Sequence, residues 1–225
     1  MTAQLLILGA GGNSFSIVDA VESLNGRATE PAFRILGFLD DLPGNRNSLV
    51  AGYPVLGPIE LAAEYPDCLF VNGISSVDSF RKRKEIVART GAAPSRFATI
   101  IHPSAVVSPR AAVGKGCVIL AGSVVGPGAI LEDHVLVLEG STIDHFSNLK
   151  PYVTLSAGVV VLGSVHIGEG AFVGGGSSIA PFVKIGAGAL VGMGSAVIRD
   201  VGAGTVVAGN PARELRGSRY RASDA

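Results

Sequence analysis

The chain has 225 residues, and its 18 basic and 18 acidic side chains cancel, so no net field draws nucleic acid or an anionic membrane surface. Charged residues make up 16% of the sequence, against about 25% in ordinary soluble proteins, while glycine reaches 31 and tryptophan is absent. This composition excludes a polyanion-binding protein and favours a repetitive fold that tolerates glycine.

Cysteine content and the N-terminal sequence bear on the cellular compartment. The two cysteines, Cys68 and Cys117, are too few for a disulfide framework and lack metal-ligand spacing. The first residues lack the basic region of a signal peptide, and no apolar run approaches the roughly 20 residues of a membrane span. We therefore expect a cytoplasmic protein with no membrane partner.

The first half of the chain alternates between apolar strands and helical segments. An apolar run over residues 5–8 leads into the glycine turn of residues 9–14, after which residues 15–24 are predicted to be helical. A second predicted strand, residues 33–39, ends in Asp40 and Asp41. Backbone N–H groups at such a helix start bind phosphate, and a carboxylate after the next strand accepts hydrogen bonds from ribose or base. We expect a short parallel α/β sheet.

The glycine turn by itself is also compatible with a purely structural connection between a strand and a helix. The first acid lies about 30 residues beyond the glycines, whereas dinucleotide-binding domains place it roughly 20 residues on. Ser14 stands where the third glycine of that fingerprint belongs. Both departures argue against NAD as the ligand.

The second half of the chain is a six-residue repeat. From residue 107 to residue 197, every sixth residue is valine, leucine or isoleucine without one interruption, and the position two residues earlier never holds a side chain larger than valine. This period does not match the spacing of three and four in an amphipathic helix. It predicts a coil of short strands with the aliphatic residues inside and the small residues at crowded turns.

This repeat resembles the hexapeptide-repeat family, whose members form a left-handed parallel β-helix of three hexads per coil and assemble as trimers. The glycine-rich α/β half, the junction at residues 101–105 (Ile-His-Pro-Ser-Ala) and the closing residues 209–213 (Gly-Asn-Pro-Ala-Arg) extend the resemblance nearly end to end. The whole pattern is similar to the bacterial nucleotide-sugar N-acetyltransferases of the bacillosamine and perosamine pathways and to the sialic acid O-acetyltransferases.

The resemblance implies a Rossmann-like nucleotide-sugar-binding domain over residues 1–101, a β-helix acyltransferase domain over residues 102–210 and a C-terminal tail over residues 211–225. It implies that a homotrimer transfers the acetyl group of acetyl-CoA onto a nucleotide-linked amino sugar in surface glycan or lipopolysaccharide biosynthesis. The alternatives are a sugar O-acetyltransferase of the sialic acid type and a non-catalytic trimeric scaffold for a nucleotide sugar. The residues that the resemblance implies bind the nucleotide are Gly9, Gly11, Gly12, Asn13, Asp40 and Asp41.

The four histidines are His102, His134, His145 and His166. With three hexads per coil and no loop in the repeat, residues eighteen apart stack at one strand spacing of roughly 4.8 Å. Gly163 therefore lies one coil from His145, with His166 three residues further on, and the other two histidines are out of register. We expect no metal site, unlike the gamma-class carbonic anhydrases that share this fold.

His145 matches the position of the family's catalytic histidine, and we expect it to act as the general base. Imidazole titrates near neutral pH and suits the removal of a proton from a sugar amine or hydroxyl. Attack on the thioester places negative charge on its carbonyl oxygen, which needs a fixed donor. The resemblance and the register both assign the backbone N–H of Gly163 to this oxyanion.

Two residues near His145 depart from the family pattern. The acid that usually follows the histidine is replaced by Phe146, which leaves Asp144 as the candidate to orient the ring. Since neighbouring residues of an extended segment point to opposite faces, we expect Asp144 to face away from the ring. The family's second histidine, nine residues on, is replaced by Thr154, which we expect to contact substrate across a subunit boundary.

Acetyl-CoA is expected to lie along the coil. The glycine run around Gly175 offers a surface that suits a pantetheine arm, although corner glycines required by the fold explain the run equally well. Arg213 is the candidate for the CoA phosphates. Behind it lie Arg216, Arg219 and Arg221, of which the last two are interpreted as a solvated tail. Cys117 falls in the small-residue column, so direct transfer without an acyl-enzyme is expected.

Overall fold

The structure is a computed structural model that describes residues 2–46, 48–216, 218 and 220. The helices are α1 (Gly12–Asn25) and α2 (Arg83–Arg89), with short 3₁₀ helices at Pro43–Asn45, Ile59–Glu64, Phe80–Lys82 and Pro94–Arg96. The strands of the N-terminal domain are β1 (Ala3–Leu8), β2 (Phe33–Leu39), β3 (Leu49–Val50), β4 (Tyr53–Gly57) and β5 (Leu69–Asn72). None of the described helices is long and apolar enough to cross a membrane.

The N-terminal domain is built on a five-stranded sheet in the order β3-β4-β2-β1-β5. Strand β1 is parallel to β2 and β5, and β2 is parallel to β4, which confirms the predicted parallel α/β sheet. The hairpin that β3 forms with β4 was not foreseen. Its turn is Ala51-Gly52, with φ of 47° and 82°, and an alanine at the first of these positions is a weak hairpin signal.

The rest of the chain is the predicted left-handed β-helix, a three-sided prism of parallel strands. Face 1 contains β6 (Ile100–Ile101), β9 (Val118–Ile119), β12 (Leu136–Val137), β15 (Thr154–Leu155), β18 (Phe172–Val173), β21 (Leu190–Val191), β23 (Val206–Ala208) and the antiparallel β24 (Arg213–Glu214). Face 2 contains β7 (Val106–Val107), β10 (Val124–Val125), β13 (Thr142–Ile143), β16 (Val160–Val161), β19 (Ser178–Ile179) and β22 (Ala196–Val197). Face 3 contains β8 (Ala112–Val113), β11 (Ile130–Leu131), β14 (Asn148–Leu149), β17 (His166–Ile167) and β20 (Lys184–Ile185).

The hexad residues set the interior of the prism. From Ile119 to Val197 the inward aliphatic residues and the small residues of the corners form one buried cluster. Strands up to β22 pair with an offset of eighteen residues, as in Ile143 with Val161, and the offset shortens to sixteen where β21 pairs with β23. Buried serines at the corners are satisfied internally, because the hydroxyl of Ser141 donates to the backbone carbonyl of Ser156 at 2.9 Å. The uninterrupted repeat therefore folds without a loop.

The N-terminal domain packs on face 1 of the prism. Outward residues of that face, Val118 and Leu136, belong to the same buried cluster as Leu5 and Val18 of the α/β domain. Further along, Phe80 packs against Phe172, with ring centroids 5.4 Å apart. Faces 2 and 3 have no such cover within the described chain. The corner between faces 2 and 3 consequently lies on the side of the prism opposite the N-terminal domain.

A buried arginine fastens the two domains together. Arg83 of α2 is 1% exposed, and its guanidinium donates to the carbonyls of Tyr152, at 2.7 Å, and His134, at 2.9 Å. Burial lowers the pKa of Arg83 to about 10. The hydrogen-bond acceptors of this guanidinium in the described structure are backbone carbonyls and a hydroxyl of the β-helix, so Arg83 binds there through uncharged oxygens.

His134 is buried beside this arginine in a left-handed backbone conformation, with φ of 61°. Its ring stacks on Tyr152 at a centroid distance of 4.9 Å and meets the Phe97 ring edge-on at 4.8 Å. Burial, followed by the charge of Arg83, lowers the pKa of His134 to about 4. The ring is therefore neutral in the folded protein at neutral pH.

We predict that His134 makes the domain junction sensitive to acid. The unfolded chain binds a proton near the ordinary histidine pKa of about 6.5, whereas the folded chain resists protonation until about pH 4, so stability falls as pH drops between these values. The full effect is roughly 3 kcal/mol. Denaturant unfolding across pH 4–7 should show a shallower pH dependence for His134→Asn, because asparagine does not titrate and tolerates the left-handed backbone. The exposed His166→Asn is the control, and an equal slope for His134→Asn and the wild type would contradict the prediction.

Candidate active site

A cleft of about 660 Å³ opens at the carboxyl ends of β1, β2 and β5. This edge of a parallel sheet is where α/β domains bind ligands. Its lining includes all six residues that the sequence assigned to the nucleotide, namely Gly9, Gly11, Gly12, Asn13, Asp40 and Asp41. The structure therefore brings the residues that are candidates for binding the nucleotide into one cavity.

The glycine turn leaves the start of α1 open to this cleft. Gly9 has φ of 87°, and a β-carbon there would collide with the side chain of Ile74. A β-carbon on Gly11 or Gly12 would meet nothing within 4 Å. Gly11 is the N-cap residue, and no side chain caps the helix. The first turn of α1 thus presents backbone N–H groups and the positive end of the helix dipole to a ligand.

The two acids have different surroundings. Asp40 is 6% exposed, and its carboxylate accepts the backbone N–H groups of Ala10 and Leu42, both at 2.7 Å. This carboxylate holds the glycine turn against the end of β2. Each oxygen accepts one backbone N–H and keeps a further acceptor site, and Asp40 lines the cleft. A direct contact between Asp40 and the nucleotide stays a prediction.

Asp41 lies closer to solvent and is paired with a cation. Its carboxylate accepts the Ile59 N–H at 3.1 Å and forms an ion pair with Arg89 at 2.8 Å. Burial raises the pKa of Asp41, but the hydrogen bonds from Arg89 and Ile59 outweigh burial and hold that pKa below its usual value. Arg89 also binds Glu60, which anchors the guanidinium. Asp41 is thus ionised and fixed in place at the cleft wall.

The structure adds residues that sequence reasoning missed. The Asn13 amide donates to the carbonyls of Gly73 and Ser75, which ties the start of α1 to the loop after β5. Ser75 itself lines the cleft, as does Lys82, the single basic side chain among the described lining residues. A lysine beside an open helix N-terminus suits a diphosphate. Lys82 could not be assigned to the cleft from sequence, because it belongs to a run of basic residues typical of a solvated surface.

His145 lies in the corner between faces 2 and 3, one coil from Gly163, as the eighteen-residue register requires. A β-carbon built on Gly163 would lie 2.9 Å from each ring nitrogen of His145 and closer still to the carbon between them. The edge of the imidazole thus occupies the space that any side chain at residue 163 would need. The His145 side chain remains 51% exposed, so its nitrogens are accessible to a ligand.

The surroundings of the imidazole differ from the sequence expectation. The Asp144 carboxylate does not face away, because one oxygen accepts the His145 N–H at 2.7 Å and the other lies 3.7 Å from Nε2 of the ring. The backbone of Phe146 turns left-handed, with φ of 57°, which leaves its ring 67% exposed and edge-on to the imidazole. Asp144 therefore lies where it stabilises a protonated imidazole electrostatically.

The Gly163 N–H belongs to the same corner. The backbone groups next to it form hydrogen bonds between coils, since the Ser164 N–H donates to the His145 carbonyl at 2.9 Å and the Gly163 carbonyl accepts from the Phe182 N–H. Within the described residues the Gly163 N–H has no hydrogen-bond partner. A donor with no partner beside an accessible imidazole matches the geometry that a thioester oxyanion needs.

Three other predicted residues lie away from this corner. Thr154 is fully buried on face 1, with its hydroxyl 2.8 Å from that of Ser75 in the same chain, so it has no surface with which to contact a substrate. Gly175 lies on the corner between faces 1 and 2. Arg213 is exposed at the far end of the prism. Arg219 and Arg221 lie outside the described residues, as do all of residues 221–225.

Two family models match the chain. The PglD N-terminal domain matches residues 4–90, and the bacterial transferase hexapeptide (six repeats) matches residues 164–199. The chain therefore contains a PglD N-terminal domain and bacterial transferase hexapeptide repeats. The resemblance drawn from the repeat and the glycine turn is therefore confirmed.

Solved structures share the architecture of this chain. The acetyltransferase domain of PglB from Neisseria gonorrhoeae FA1090, in complex with acetyl coenzyme A, has a TM-score of 0.81 and 28% identity over 96% of this chain and 100% of its own. GDP-perosamine N-acetyl transferase from Caulobacter crescentus, solved with CoA and GDP-perosamine as a histidine-to-alanine mutant, has a TM-score of 0.81 and 25% identity over 96% of this chain and 98% of its own.

A curated relative is similar over a shorter stretch. UDP-N-acetylbacillosamine N-acetyltransferase from Bacillus subtilis strain 168 is 42% identical over 62 residues, which are 28% of this chain and 27% of that protein. The match thus spans about a quarter of the relative's length. Among the described residues, no group of three or more histidine, cysteine, aspartate or glutamate side chains could hold a metal ion.

We predict that Gly163→Ala displaces the imidazole without unfolding the protein. The new methyl group collides with the movable end of the His145 side chain rather than with backbone, and Gly163 does not have a positive φ, so the coil accepts alanine. Misplacing a catalytic group by about 1 Å costs roughly 100-fold in rate. Acetyl-CoA turnover should fall by that order while the melting temperature changes little. Gly202→Ala, which contacts only Thr205, is the control, and undiminished turnover of Gly163→Ala would contradict the assignment.

Proposed function

We propose that this protein is a cytoplasmic N-acetyltransferase that moves the acetyl group of acetyl-CoA onto the amine of a nucleotide-linked sugar used in surface glycan synthesis. The observation that carries the proposal is the contact between the His145 imidazole and the bare α-carbon of Gly163, beside a backbone N–H that has no partner in the described structure. The cleft at the start of α1 supports a nucleotide. The similarity to N-acetyltransferases, two of them solved with acetyl coenzyme A or CoA, supports the amine acceptor and CoA.

The proposed chemistry is direct transfer in a ternary complex. The His145 ring accepts a proton from the neutral amine as its nitrogen bonds to the thioester carbon, and the carbonyl oxygen takes the negative charge at the Gly163 N–H. The carbon–sulfur bond then breaks, and the leaving CoA sulfur takes the proton from the imidazolium. Asp144, 3.7 Å from Nε2, stabilises the imidazolium between these steps. Gly175 and Arg213 are proposed contacts of the pantetheine arm and the CoA phosphates.

We predict that His145→Asn lowers kcat by roughly 10²–10⁴, the contribution of a general base, and leaves nucleotide affinity near that of the wild type. Thiol release from acetyl-CoA, measured with a panel of UDP- and GDP-linked amino sugars and their hydroxyl analogues, tests both parts. Release with hydroxyl sugars alone would make the protein an O-acetyltransferase. No release with any acceptor would leave a nucleotide-sugar-binding scaffold, the alternative that Phe146 in place of the family's acid favours.

The active form is proposed to be a homotrimer, because one chain does not bring its own cleft and imidazole together. The cleft belongs to the domain on face 1, and His145 lies on the opposite corner. Face 2 presents an apolar row in register, with Val106 63% and Val124 39% exposed. Packing of that row against a second copy buries it and places one chain's cleft beside another chain's imidazole.

We predict that two inactive variants restore activity when they assemble together. His145→Asn lacks the base, and Lys82→Glu repels the diphosphate, yet a mixed trimer contains sites with an intact cleft from one chain and an intact imidazole from another. Co-expressed and co-purified chains should turn over acetyl-CoA, while each variant alone should not. Sedimentation should give three chains per particle. Mixed trimers without activity would show that cleft and imidazole belong to one chain.

A further inference from the structure

A row of residues on face 1 contains one polar outlier. The outward positions that stack at eighteen-residue intervals under the N-terminal domain are aliphatic or aromatic, with the exception of Thr154. They are Ile100, Val118, Leu136, Thr154, Phe172 and Leu190. Valine has the same shape as threonine and belongs in such a row, so the hydroxyl needs a reason of its own.

The Thr154 hydroxyl has partners in the N-terminal domain on both sides. It lies 2.8 Å from the Ser75 hydroxyl and accepts from the buried guanidinium of Arg83 at 3.2 Å. Since the Arg83 group can only donate, the Thr154 hydrogen is free to point at Ser75. The side chain of Thr154 is fully buried, which excludes water from these contacts.

The same serine is held from the other side by the phosphate-binding turn. Its carbonyl accepts the Asn13 amide at 2.8 Å, and Asn13 lies in the first turn of α1. Ser75 lines the nucleotide cleft. A continuous polar chain therefore runs from Arg83 through Thr154 and Ser75 to Asn13, that is, from the contact between the two domains to the mouth of the cleft.

We infer that Thr154 is a positioning residue that fixes the cleft loop of residues 73–76 against the β-helix and thereby sets the affinity for the nucleotide. The effect on nucleotide affinity rests on the proposed function, whereas the contact between Thr154 and Ser75 does not. The loop carries the Asn13 acceptors and forms one wall of the cleft. With the Thr154 hydroxyl absent, the Ser75 hydroxyl loses its partner and the wall is no longer held at one distance from the helix start.

The contact is tested first without any ligand. Thr154→Val removes the hydroxyl and keeps the shape, and Thr154→Ser keeps the hydroxyl. Amide hydrogen exchange over residues 73–79 should speed up in Thr154→Val and stay close to the wild type in Thr154→Ser. Ser123→Ala is the matched control, because it removes a buried hydroxyl that bonds only within the β-helix, to the Leu138 carbonyl. Unchanged exchange in Thr154→Val would overturn the inference whatever the activity.

The consequence is tested with free UDP and GDP by calorimetry, and with steady-state kinetics. In Thr154→Val the dissociation constant of the nucleotide that the wild type binds should rise roughly 5- to 10-fold, the size expected for one buried hydrogen bond. The KM for the nucleotide sugar should rise equally, while the KM for acetyl-CoA stays constant. Adding Ser75→Ala to Thr154→Val should cost little more.

The possible outcomes separate the two claims. An equal rise in both KM values, or a loss that Thr154→Ser does not rescue, would reduce Thr154 to a residue of the fold and overturn the inference. A wild type that binds neither nucleotide would refute the proposed function and the predicted effect on affinity. In that case the exchange experiment would still decide whether Thr154 holds the loop.

Discussion

Burial of one aliphatic side chain in every hexad is the constraint on which the rest of this structure depends. Each such residue contributes roughly 1.5–3 kcal/mol when it is fully buried, and a single cluster joins them along the prism. Because three hexads make one coil and no residues are inserted between them, the coil repeats every eighteen residues. That period places the His145 ring against Gly163 and gives each outward residue a fixed neighbour one strand spacing away.

The β-helix and the corner that brings His145 against Gly163 could be predicted from sequence because they follow from a period. Once three hexads make a coil, the residue stacked on His145 is the one eighteen positions further along the chain. The cleft at the start of α1 could also be predicted, since a glycine turn after a buried strand is typical of a ligand-binding edge of an α/β sheet. In both places a local pattern determines the geometry.

What could not be predicted depends on how the two domains meet. Arg83 lies in a basic run that resembles a solvated helix face, yet it is 1% exposed because α2 docks on a corner of the prism. Thr154 was assigned to substrate from the place of the family's second histidine, and its partner Ser75 could not be foreseen because it is 79 residues away in the sequence. The bond that Asp40 accepts from the Ala10 N–H was also not foreseen, because the two residues come together only when β1 and β2 pair.

The absence of any loop in the coil restricts how this protein can change over evolutionary time. A deletion or insertion of one hexad between His145 and the end of the prism would keep the inward aliphatic residues inside but would rotate everything beyond it by one face and give the outward residues new neighbours. Only a change of three whole hexads restores the pairing of faces. Variation in the acceptor sugar is thus expected through substitutions at existing positions such as Phe146, or through the N-terminal domain, rather than through new loops beside the imidazole.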